Sequence, residues 1–303
     1  MDSRYLENFI LVVELGSIAE AARRLDMTPA TLAQRLKTLE ASVGARLIVR
    51  AGRTVKPAVA GARIVDRARH ILREIRDLKS AASDTGLPAG PLRLGAIPTA
   101  LSGMLPAMLK AWVCQYPHIN LLIEPGSTNA LYAKILDNTI DAAILAHPGF
   151  DLPKACAWHK LRREPLVLLT PATMRVNDVF KTLGREPYIR HNRSVIAGRL
   201  ADEYLHRHGV RPNLRFELEG IESIARLVSE GLGVSVLPDW ATTGPADATL
   251  RRWPLPAPFP SREVGVVSTR AGARSALVKV FVDLAQTQVL PERGPGPTLA
   301  AVS

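Results

Sequence analysis

The chain has 303 residues, enough for two or three compact units. At 47% hydrophobic and 22% charged it has an ordinary globular composition, and its formal net charge of +11 favours a polyanionic partner. No apolar run approaches a membrane span, acids at Asp2, Glu7 and Glu14 argue against a secretory signal, and two distant cysteines, Cys114 and Cys156, make no disulfide framework, so a cytoplasmic protein is expected.

Ser17-Ile18-Ala19-Glu20 has the form of a capping box, in which the Ser hydroxyl accepts the Glu20 N–H and the Glu side chain reaches back. It opens a short helix with Ala21, Ala22 and Leu25 facing inward. Asp26-Met27 makes the turn. Thr28-Pro29 then starts a second helix, with Thr as N-cap and Pro in the first position, where its missing N–H costs nothing. In that helix Leu32, Leu36, Leu39 and Val43 share one apolar face. Thr28, Pro29, Ala30, Thr31, Gln34, Arg35 and Thr38 remain outside. Two short helices with a tight turn, the second exposing small, amide and guanidinium side chains, suit reading of a DNA major groove. Leu47 to Arg50, a glycine turn and Thr54 to Pro57 read as a hairpin. Between Glu40 and Asp66 there is no acid, while Arg46, Arg50, Arg53, Lys56 and Arg63 all occur. Arg50 and Arg53 of this wing are expected on flanking phosphates or in the minor groove.

Ile64, Ala68, Ile71, Ile75 and Leu78 then form a heptad seam, expected to pair with another chain, the alternative being packing on its own domain. Residues 83–91, with two glycines and two prolines, read as a hinge. Beyond it strands alternate with helices. Strands are expected at Leu92 to Ile97, Asn120 to Glu124, Ala142 to Ala146, Leu166 to Leu169, Tyr188 to Arg190, Leu214 to Glu219, Val234 to Leu237 and Val264 to Ser268. Helices are expected at Leu101 to Tyr116, Asn129 to Asn138, Ala197 to His208, Ile221 to Glu230 and Ser275 to Leu290. Such alternation argues for parallel sheets covered by helices, in two small α/β lobes. The tail from Pro291 reads as disordered.

This order resembles the LysR-type transcriptional regulators over almost the whole chain up to about Leu290. The resemblance is carried by SIAEAARRLDMTPATLAQRLKTLEASVGARLIVRAGRTVKPAVAG, by LRLGAIPTALSGMLPAML and by IESIARLVSEGLGVSVLP. Thr28-Pro29 stands where the family often has Ser-Gln, Ala33 where it often has Ser, and Val59 near its usual Thr. The resemblance implies an α/β protein: a winged helix-turn-helix (1–60), a linker and dimerisation helix (61–82), the hinge (83–91), a two-lobed periplasmic-binding-protein-like effector domain (92–290) and the tail (291–303). The first lobe would take residues 92–162 and 269–290, the second 163–268. It further implies a homodimer or homotetramer on a double-stranded operator, a small-molecule coinducer between the lobes and contact with RNA polymerase. No cofactor is expected.

In open α/β sheets ligands sit where strands end and helices begin. The loops at Pro98, Thr99, Ala100 and Leu101, at Gly126, Ser127 and Thr128, at His191, Asn192, Arg193 and Ser194, and at Gly220, Ile221 and Glu222 are therefore the candidates. Thr99 and Ser127 would place hydroxyls at helix N-termini, and Arg190, His191 and Arg193 would add positive charge, which favours a carboxylate-bearing effector. The same hydroxyls are equally ordinary helix caps, and Glu222 suits either an amine or its own helix N-terminus. Cys156 and His159 offer only two soft metal ligands, and His206 and His208 point different ways on a helix. No nucleophile elbow or phosphate loop is present, so neither a metal nor a catalytic set is expected. Two other classes, a solute receptor and an enzyme fused to a DNA-binding domain, would need a signal peptide or a catalytic set respectively.

Overall fold

The computed structural model describes residues 2–52, 54–81, 90–240, 248–270 and 274–288. Arg53 of the wing, the hinge before Gly90 and the tail from Pro291 lie outside these. The chain divides into two compact units between Pro88 and Ala89.

In the N-terminal unit, helix α1 (Ser3–Leu15) turns Leu6, Phe9 and Val12 inward. Helices α2 (Ile18–Arg24) and α3 (Pro29–Val43) follow. Ser17 accepts the Glu20 N–H at 3.3 Å, but the Glu20 carboxylate pairs with Arg23 rather than closing the capping box. A full charge one turn away outweighs a neutral backbone donor. Asp26 makes the turn with φ of 51°. Leu32, Leu36 and Leu39 are buried, whereas Val43 is 37% exposed. Val43 is the last helical residue before the left-handed Gly44, and Leu47 beyond that cap fills the core instead. Strands β1 (Ile48–Ala51) and β2 (Thr54–Pro57) form the hairpin, pairing Ile48 with Pro57 and Ala51 with Thr54.

Helix α4 (Val59–Ala81) starts two residues ahead of the expected linker helix. Its Gly61 lies against Leu47, where a Cβ would overlap the Leu47 carbonyl oxygen. The heptad seam divides. Ala68 is buried in the unit's own core with Leu72, and Ile64 and Val65 pack against that core. Arg69 pairs with Glu14 of α1 at 3.0 Å. Ile71 is 40% and Leu78 72% exposed, so only the later part of the seam remains open to a partner.

The C-terminal unit contains β3 (Leu92–Ala96), α5 (Pro98–Ser102), α6 (Leu105–Gln115), β4 (Leu121–Pro125), α7 (Thr128–Leu136), β5 (Ala142–Ala146) and β6 (Cys156–Pro171). It continues through α8 (Val179–Arg185), β7 (Pro187–His191), α9 (Ile196–Arg207), β8 (Asn213–Leu218), α10 (Ile221–Ser229), β9 (Ser235–Pro238), β10 (Leu250–Pro254), β11 (Ser261–Thr269) and α11 (Ser275–Gln288). The helix expected over 101–116 is two, because Pro106 falls in the first turn of a new one. Among the described residues one sheet has the order β10-β6-β11-β5-β3-β4, with β9 also on β6. Among the described residues the parallel strand pairs are β3 with β4, β3 with β5 and β7 with β8, with one more parallel bridge between Tyr188 and Val234. The all-parallel expectation fails because β6 and β11 run antiparallel to each other and β11 to β5.

Strand β6 begins ten residues before the expected Leu166. Its first part pairs with β11, and its end pairs with β9 and β10. It thus passes from one lobe into the other. Val264–Ser268, expected in the second lobe, pair with β5 of the first, since β11 returns alongside β6. In the second lobe Leu168, Tyr188, Tyr204 and Val236 make one core, and Leu169, Ile189, Ile224 and Trp240 another.

The divided seam predicts two different mutants. Ile71→Glu leaves the N-terminal unit folded and breaks self-association, read by sedimentation at micromolar concentration. Ala68→Glu buries an unpaired charge in the unit's core and lowers its stability by about 3 kcal/mol or more, read by denaturant unfolding.

Candidate functional site

Two surfaces carry the candidate residues. On the N-terminal unit, Thr28 accepts the Thr31 N–H at 3.1 Å, and the two hydroxyl oxygens lie 2.8 Å apart. Pro29, Ala30, Thr31, Gln34 and Thr38 are exposed and Arg35 is half-buried. Thr38 donates back to the Gln34 carbonyl at 3.0 Å. The acid of this helix points away from its exposed face: the Glu40 carboxylate accepts the Leu47 and Ile48 N–H groups at 2.7 and 3.2 Å. That bond ties α3 to the wing and leaves the exposed face cationic. Arg50 opposes Val55 and Lys56 opposes Val49, so the two cations occupy opposite faces of the hairpin.

In the C-terminal unit a cavity of about 620 Å³ opens where strands end and helices begin. Pro98 and Thr99, then Gly126, Ser127 and Thr128, line its first-lobe side. His191, Ser194, Gly220, Ile221 and Glu222 line the other. Ile97 and Ile221 supply apolar wall. Four expected residues are not among those that line it. Ala100 is buried at 1% exposure, and Leu101 lies on α5 outside the lining. Asn192 accepts the Ser194 N–H at 2.7 Å, holding its own loop. Arg193 is exposed and lies 3.8 Å from Asp202. Arg190 likewise turns to Asp202 and Glu217, at 3.8 and 3.6 Å, so the charge expected from this loop is met locally.

Three helices of eight or more residues begin at the cavity. Ser127 caps α7 by accepting the Ala130 N–H at 3.3 Å, while α9 and α10 start without a side-chain cap. Their first-turn N–H groups are open to an acceptor. His191 is buried, its Nε2 2.8 Å from the Glu219 carbonyl. Desolvation, helped by the nearby Arg262 charge, pushes its pKa down to about 4, so it is neutral and adds no positive charge.

The positive charge comes from a residue the loop rule misses. Arg262 on β11 lines the cavity and is 7% exposed. It faces Glu164 directly across the β6–β11 ladder, with Nε 2.8 Å from Oε2. Its Nη2 also donates to Thr99 Oγ1 at 3.0 Å. The available signal was Arg162 and Glu164 two apart in an extended segment, and hence on one face. Among the described residues no group of three metal-ligating side chains comes together, and no helix is long and apolar enough to cross a membrane.

Residues 85–289 match the LysR substrate binding domain, and residues 3–62 match the bacterial regulatory helix-turn-helix protein of the lysR family. The chain is 25% identical over 288 residues to the uncharacterized HTH-type transcriptional regulator YusT of Bacillus subtilis, covering 93% of this chain and 95% of that one. It is 29% identical over 240 residues to HTH-type transcriptional regulator YofA of Bacillus velezensis, covering 78% and 81%. A full-length OxyR variant from Pseudomonas aeruginosa superposes with a TM-score of 0.68 at 24% identity, covering 97% of this chain and 99% of that one. CbnR complexed with its target DNA gives 0.68 at 19% identity, covering 95% and 100%. These two likenesses establish the fold.

The burial of His191 has a pH consequence. The unfolded chain takes up its proton near pH 6.5, the folded chain only near 4. Stability is therefore full above the unfolded value and falls as pH drops from about 6.5 to 4, by up to about 3 kcal/mol. His191→Gln flattens that part of the stability profile, measured by urea unfolding at successive pH values.

Proposed function

We propose, for a chain that belongs to the LysR family of DNA-binding transcriptional regulators, that its interlobe cavity takes a small carboxylate effector and that α3 and the wing read the operator. The observation that carries the effector class is the cavity itself: uncapped starts of α9 and α10, the Ser127 hydroxyl and the buried Arg262 all border one space. Oriented N–H groups and a guanidinium stabilise an anion in such a site. The apolar contribution of Ile97 and Ile221 suits the rest of a small organic acid.

Thr31, Gln34 and Arg35 enter the major groove, with Thr28, Pro29, Ala30 and Thr38 at its edges. Arg50 and Arg53 hold phosphates or the minor groove. Two chains pair through the exposed end of α4, as a homodimer or as half of a homotetramer. Effector binding changes how the assembly bends its operator and engages RNA polymerase. The protein works in the cytoplasm, without a catalytic step of its own.

Two experiments test these assignments. Gln34→Ala relaxes the base preference at one half-site position by roughly 1–3 kcal/mol, whereas Arg50→Ala weakens binding to all sequences and lowers the salt slope by about one. A binding-site selection with each variant distinguishes them. An unchanged profile for Gln34→Ala removes α3 as the reading helix. For the cavity, Ser127→Asp keeps the α7 cap and places a negative charge inside. It should leave operator binding intact and abolish thermal stabilisation by carboxylates. Stabilisation equal to that of the parent places the effector elsewhere.

A further inference from the structure

Arg262, Glu164 and Arg162 are 7%, 2% and 5% exposed, on neighbouring positions of β6 and β11. Glu164 Oε2 holds Arg262 at 2.7 Å from Nη2 and 2.8 Å from Nε. Its Oε1 lies 3.8 Å from Arg162 Nε. Arg162 Nη2 donates to the Asp239 carbonyl at 3.0 Å. Two guanidiniums thus share one carboxylate, and the buried group carries one positive charge in excess. The adjoining Arg252 and Asp239 pair at 3.3 Å and cancel. Such an excess is costly out of water, and only Arg262 of the three borders the cavity.

Resting on the carboxylate reading of this cavity, we propose that Arg262 recognises a single carboxylate of the effector, which takes over the Nη2 bond now accepted by Thr99 while Glu164 stays in place. A neutral hydroxyl is the weakest of the acceptors Arg262 now has, and a charge-assisted bond is roughly twice as strong. Glu164 is a full charge held by two short contacts to Arg262, with Arg162 also 3.8 Å away, so it is not the group displaced. The excess is one charge, which one carboxylate neutralises. A second carboxylate would meet the exposed Glu219 and Glu222 on the opposite wall. The effector is therefore a monocarboxylate with an otherwise neutral body.

The test uses thermal shifts of the purified full chain with benzoate and hexanoate, their amides, and the dicarboxylates phthalate and adipate. The monocarboxylates are expected to stabilise the parent more than their amides or the dicarboxylates do. Arg262→Gln leaves Arg162 and Glu164 as a one-to-one pair, and should weaken the carboxylate response about thirtyfold or more with the amides unaffected. Should that variant fail to fold, Arg262→Lys keeps the charge without the planar fork and should show a smaller loss. Thr99→Val removes the competing acceptor and should match or exceed the parent response. A carboxylate preference that survives the Arg262 substitution but is lost in Ser127→Asp keeps the carboxylate cavity and overturns the role of Arg262. Loss of the response in Thr99→Val overturns the exchange, because Thr99 would then hold the ligand itself. No preference for carboxylate over amide, or preference for the dicarboxylates, overturns the monocarboxylate assignment, the former taking the carboxylate reading with it.

Discussion

Antiparallel pairing of β6 with β11 is the constraint on which the effector-binding half depends. The ladder joins Cys156–Pro165 to Ser261–Thr269, and β6 then continues into the second lobe to pair with β9 and β10. Because one strand serves two lobes, the register of the ladder decides which side chains meet at their junction. It places Glu164 opposite Arg262. A register slip of one residue would put these two charges on opposite faces of the sheet, one of them on the face where Lys160 and Glu263 already pair in an exposed position at 2.9 Å. A buried ion group of this kind is weak evidence for stability, since apolar residues of equal volume often do as well. Its place beside the cavity gives the charge a use that stability does not.

The N-terminal unit is organised by close backbone approach rather than by long strands. Glu40 accepts two N–H groups at the start of the wing, Leu47 fills the space beyond the Gly44 cap, and Gly61 lets α4 lie on the Leu47 carbonyl. These three contacts hold α3, the hairpin and the start of α4 in one geometry. Each acts within about twenty residues of sequence, which is why this half was readable from local signals. Misplaced details came from competition between neighbours: Arg23 takes Glu20 from the capping box, and the helix end exposes Val43.

In the C-terminal unit the local signals found most of the elements, though not α8 or β10, and missed their connections. Ala142–Ala146 was read to the residue because a fully buried strand is a plain apolar run. The first ten residues of β6 were missed because CAWHKLRREP mixes apolar and charged residues, as a strand must when it lines a junction. The candidate loops did come together around one cavity, since strand-to-helix turns of both lobes face it. Arg190 and Arg193 were expected to charge it, but Asp202 and Glu217, distant by roughly ten residues or more, claim them instead.

Periodicity, caps and turn residues thus determined the helix-turn-helix, the basic wing, the α/β alternation and the loops that border the cavity, because each depends on residues within one or two turns of one another. Tertiary structure alone decided which half of the α4 seam is open, that His191 is neutral, and that the cavity's positive charge resides on Arg262. Those outcomes depend on burial and on partners far apart in the chain: α1 against α4, Glu219 against His191, and Thr99 and Glu164 against Arg262. Desolvation and charge sharing are properties of that assembled environment, and a linear pattern does not contain them.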